Sequence, residues 1–102
     1  MDYGETLQRL MVNDARIEDG QGLEPGVLSA KLLALVRLAA VVAVGGSAPT
    51  YGTEIDAALN AGASAAEIVD VLCAIVPVVG VPNVVAAAPD VALALGFEPF
   101  ES

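Results

Sequence analysis

Residues 27–44 read VLSAKLLALVRLAAVVAV, an unbroken run of helix formers in which only Ser29, Lys31 and Arg37 are polar. The run has no internal proline or glycine and stops at Gly45-Gly46, so it predicts a long helix from Leu28 to Val44. A helix that is apolar nearly all the way round must be covered on several sides. The whole chain has 102 residues, enough for one domain. Part of the cover is therefore expected from another subunit. The apolar stretches Leu32 to Val44 and Val71 to Val81 both fall short of the roughly 20 residues needed to span a bilayer, and the first carries Arg37. Both read as buried helices.

Composition supports self-association. Hydrophobic residues make up 56% of the chain but aromatics only 4%, so one copy has much apolar surface and few bulky side chains to seal a private core. Alanine, valine and glycine let helices approach closely. Thirteen acids against four bases give a formal net charge of -9, which opposes the phosphate neutralisation on which nucleic-acid binding depends. Nucleic acid and anionic membrane surfaces are not expected partners. Six of the acids (Asp2, Glu5, Asp14, Glu18, Asp19 and Glu24) precede Pro25 and keep an otherwise greasy protein in solution. The segment DGQGLEPG reads as a loop, dividing an acidic lead, residues 1–22, from a helical domain, residues 23–102.

Within the lead, Leu7, Leu10 and Met11 suggest an amphipathic helix from about Glu5 to about Asn13. After GGSAP, a helix of roughly Thr50 to Ala61 ends at Gly62, where a missing side chain suits a left-handed cap. Ser64 and Glu67 stand at capping-box spacing, placing the next helix start at about Ala65. Ile68, Val71, Leu72, Ile75 and Val79 share one face of it, with Glu67 and Asp70 toward solvent. Pro77 is expected to kink or shorten this helix. Gly80 and Pro82 mark a turn into a last helix, interrupted or restarted at Pro89-Asp90 and closed by Gly96. The fold class is all-α, with five to six helices.

The chain has no histidine and a single cysteine, Cys73, so a dithiol mechanism within one subunit is excluded. No metal site is expected, because the acids are scattered and histidine is absent. The glycines of AVGGSAP follow a helix rather than a strand and do not form a phosphate-binding loop. No cofactor is implied. The charged start MDYGETLQRL is unlike a secretory signal, and a cytoplasmic location is expected.

Three segments in this order and spacing, LEPGVLSAKLLALVRLAA, ALNAGASAAEIVDVL and PVVGVPNVV, resemble the carboxymuconolactone decarboxylase family, within the all-helical superfamily of the alkylhydroperoxidase D proteins. The resemblance covers about three-quarters of the chain. It implies a cytoplasmic protein assembling as a homotrimer or a hexamer. It also implies an acid-base histidine at the position of Glu54 in EIDAALNAG, another histidine at Ala74, and a tyrosine at Val78. The peroxidase branch would carry Cys-x-x-Cys in or near GGSAPTYGTE, which here contains no cysteine. The resemblance thus supports the fold more than any one reaction.

Against that frame Glu54 is the first candidate for catalysis, since burial of a carboxylate among alanines and valines favours the neutral form that a general acid needs. Its bland alternative is an acid stabilised by the start of a helix. Tyr51, three residues earlier, can share a helical face with it and bind a small oxygenated substrate, or simply seal the turn. Arg37, mid-helix in an apolar run, is a candidate clamp for a substrate carboxylate or the partner of Glu54, Asp56 or Asp70 in an intersubunit or intrasubunit ion pair. Cys73 is expected to be a small buried hydrophobe, and Lys31 an exposed charge. Two functions remain: a cofactor-free lyase, isomerase or hydrolase acting on a small carboxylated or carbonyl compound, and a non-catalytic or ligand-binding oligomer that keeps the scaffold.

Overall fold

The computed structural model describes residues 3–13 and 25–97, and among them it contains five helices and no strand. They are α1 (Tyr3–Met11), α2 (Ala30–Val44), α3 (Ala48–Asn60), α4 (Ala65–Val79) and α5 (Val81–Ala94). The proposed division at residues 22 and 23 lies outside the described residues. None of the described helices is long and apolar enough to cross a membrane.

Side-chain caps set the helix starts. The Ser29 hydroxyl accepts the Leu32 N–H at 3.1 Å, so α2 begins two residues later than the apolar pattern predicts. Ser47 does the same for Thr50, which moves the start of α3 forward to Ala48 with Pro49 in its first turn, where a missing amide proton costs nothing. Ser64 and Glu67 form the expected capping box, each side chain bonded to the other's backbone N–H. At the end of α3, Gly62 adopts φ +99°; Ala63 N–H then reaches the Ala58 carbonyl and Gly62 N–H the Leu59 carbonyl, satisfying two of the last free acceptors. The same pattern recurs at Gly96 after α5.

The expected shortening of α4 at Pro77 and the expected break of the last helix at Pro89 require correction. Helix α4 runs through Pro77 to Val79, and α5 runs without interruption through Pro89. Both prolines are exposed, as are Cys73 and Val85, the residues four positions back whose carbonyls lose a partner. Water can reach those carbonyls, and the buried residues on the opposite face hold the helices together. A single residue, Gly80 at φ +91°, both ends α4 and begins α5.

Helices α2 to α5 enclose one core. Helix α2 turns Ala34, Leu38 and Val42 inward and packs against α3, α4 and α5. Tyr51, Ile55 and Ala58 come from α3, Ile68 and Leu72 from α4, and Val84, Ala87 and Val91 from α5. Alanines at four of the twelve buried core positions (Ala34, Ala58, Ala63 and Ala87) bring the backbones close together. Two polar links cross the bundle at opposite ends of α2. The Asn83 side-chain amide donates to the Ala43 carbonyl at 3.0 Å, and Lys31 meets Glu67 at 3.0 Å. Helix α1 contributes no buried residue.

Glu67 therefore has two tasks. The Ser64 N–H first, and then the Lys31 ammonium, hold its carboxyl below the usual carboxylate range. A depressed folded-state value means that the ionised carboxylate stabilises the fold at neutral pH, and that this contribution is lost as pH falls through the depressed value. Glu67→Gln keeps an acceptor for the Ser64 N–H but has no charge for Lys31. The wild-type protein is expected to melt higher than this variant at pH 7, and the difference should shrink and then vanish as pH falls through and below the depressed value of the Glu67 carboxyl. Thermal melts of both proteins across that range check it, and a difference independent of pH would show that ionisation plays no part.

Candidate functional site

Of the site residues picked out from sequence, Tyr51 lies just after the turn between α2 and α3, Glu54 one turn further along α3, and Arg37 in the middle of α2. Gly46 brings the chain so close to the end of α2 that a Cβ there would lie 2.8 Å from Val41 Cγ1 and 3.5 Å from Tyr51 Cζ. Glycine is needed for that approach. In return the Gly46 N–H donates to the Tyr51 hydroxyl at 3.0 Å, while the Tyr51 ring is 97% buried in the core. Ring and hydroxyl together close the turn and fix the start of α3, which is the structural one of the two roles anticipated for this residue.

Glu54 lies one turn further along α3, half-buried on the flank of the face formed by Tyr51, Ile55 and Ala58. Its carboxylate makes no hydrogen bond or ion pair with any described residue. Tyr51 and Glu54 are neighbours along the helix as expected, but the phenol points into the core and the two do not hydrogen-bond. Glu67 is equally half-buried but already committed to Ser64 and Lys31. Glu54 is free to act on something else.

Within one copy Arg37 forms none of the ion pairs named for it. It is exposed on α2, and no ion pair joins it to Glu54, Asp56 or Asp70. The reason is angular: α2 directs residues 34, 38 and 42 into the core, and Arg37 falls on the outward side. A guanidinium in water needs no internal carboxylate, so the desolvation argument for a partner does not apply within one copy. It remains available to an anion arriving from solvent. Cys73 is likewise exposed rather than buried, because α4 turns Ile68 and Leu72 inward. Lys31, expected to be an exposed charge, keeps 40% of its side-chain surface exposed and is also paired with Glu67.

Sequence reasoning overlooked Asp90. It is half-buried on α5, the helix that packs against α3, and has no hydrogen-bond partner among the described residues. Read as part of a helix break, Pro89-Asp90 concealed it; a continuous helical period through Pro89 was the signal that could have found it. Among the described residues no three cysteine or acidic side chains cluster as a metal site.

A bundle of alanine- and valine-packed helices with glycine-closed turns defines a class of small all-helical domain. The family model for carboxymuconolactone decarboxylases matches residues 12–92, and the chain belongs to that family. Comparison with curated proteins and with solved structures gave no match.

Proposed function

We propose that the protein is a cofactor-free enzyme of the carboxymuconolactone decarboxylase type, a cytoplasmic lyase, isomerase or hydrolase that acts on a small carboxylated or carbonyl compound as a homotrimer or a dimer of trimers. Glu54 carries the proton and Arg37 grips the substrate carboxylate, the pairing such a substrate calls for. Tyr51 acts indirectly by holding the start of α3. The observation that carries this reading is that Glu54 is half-buried beside an apolar core and is not spent on any cap or ion pair.

The second reading, a ligand-binding or scaffold oligomer without chemistry, is favoured by one specific feature: the Tyr51 hydroxyl is already engaged inside the turn. Glu54→Gln separates the two. With a carboxymuconolactone, or with the small molecule that native mass spectrometry finds retained on protein from its own cells, the enzyme reading expects turnover to fall by about 10²–10⁴-fold with assembly unchanged. Equal turnover by variant and parent removes Glu54 as the proton carrier. Binding without turnover in both supports the scaffold.

A further inference from the structure

Helix α1 and the outer side of α2 present matching apolar surfaces that this copy leaves uncovered. In α1, Tyr3, Leu7, Leu10 and Met11 recur at the spacing of one helical face, and all four are exposed. Nine residues are fewer than the roughly 12–15 at which an isolated helix becomes even marginally stable in water, so α1 needs a surface to lie on. On α2, Leu32, Val36, Ala40 and Val44 follow at intervals of four along the side opposite the core, again all exposed, with Val36 at 53% and Val44 at 84%. No charge interrupts that row, and Arg37 flanks it.

We propose that the α1 face of one copy docks on the α2 row of a second copy, and that the exchange is reciprocal, a two-fold contact of the kind that pairs the two trimers in a dimer of trimers. Three observations favour a second copy as occupant. The α1 helix buries none of its residues against its own bundle. The stretch between Met11 and Ala30 is 18 residues, a tether of up to roughly 60 Å when extended, ample to reach a neighbour. From the exposures of its residues, the α1 face and the α2 row together present on the order of 800 Å² per copy, the amount each partner contributes to an interface of standard size. The proposal rests on the reading that copies assemble, and adds which surfaces do it.

Two measurements test it. In the full chain, Leu7→Asp with Leu10→Asp, and separately Val36→Asp, should raise the dissociation constant of the assembly at least about tenfold by analytical ultracentrifugation. Circular dichroism should show the helices of the bundle retained, since none of these side chains is in the core. In a Cys73→Ser background, chains carrying Leu7→Cys are mixed with differently tagged chains carrying Val36→Cys and oxidised. A disulfide joining the two tags is the expected result. Undiminished assembly in the aspartate variants, or the absence of any disulfide joining the two tags, overturns the assignment of surfaces while leaving assembly itself standing. A parent protein that is monomeric at all concentrations overturns both.

Discussion

Leu38→Ala is expected to destabilise the protein by about 3–5 kcal/mol, the upper part of the range for a buried leucine. Leu38 is fully buried near the middle of α2, the helix that packs against α3, α4 and α5. The cost of such a change depends on how far the neighbours can move into the space, and here several of the buried core residues are alanines: Ala34, Ala58, Ala63 and Ala87. Their methyl groups cannot swing into a cavity, and backbones already in close approach have little room to shift. Total stability for a domain of this size is of order 5–15 kcal/mol, so the variant loses a large share of it. Denaturant unfolding at fixed protein concentration checks this, the concentration being held because assembly contributes to apparent stability. A loss below about 1 kcal/mol would mean that the core collapses around the deletion.

The second large effect belongs to Tyr51. Tyr51→Ala removes a ring that is almost wholly buried and is expected to cost about 3–5 kcal/mol. Tyr51→Phe keeps the ring and deletes only the acceptor for the Gly46 N–H, for about 1 kcal/mol, because the exposed turn lets water take its place. The contrast between the two substitutions tests the structural role. If phenylalanine instead leaves stability intact but weakens retention of the ligand, the hydroxyl touches that ligand and the turn is incidental.

Most of the bundle was legible in the sequence because its helix ends are written in local chemistry. Ser64 and Glu67, Gly62, and Gly45-Gly46 act over four residues or fewer, and all stand where their spacing places them. The misjudged helices share one cause. Pro77 and Pro89 are strong local breakers, yet each lies on a face turned to water, and which face a proline occupies depends on packing with other helices. Cys73 failed for the same reason: on helices apolar all round, hydrophobic pattern does not say which side faces inward, and burial was assigned where the bundle provides exposure. Glu54 was singled out as a candidate through its position in the family's pattern. Asp90, lacking such a pointer and set beside a proline, was missed.

The junction of α4 and α5 has a consequence for how this chain can change. Because Gly80 alone joins the two rods, their mutual angle hangs on one pair of backbone torsions, with no slack to absorb an added or deleted amino acid. A single insertion there would rotate everything downstream by about a hundred degrees, since each helical residue turns the chain by that amount. Val84, Ala87 and Val91 would then swing out of the interior together. That corner is consequently a place where length is frozen, and diversification by indels must occur elsewhere in the molecule.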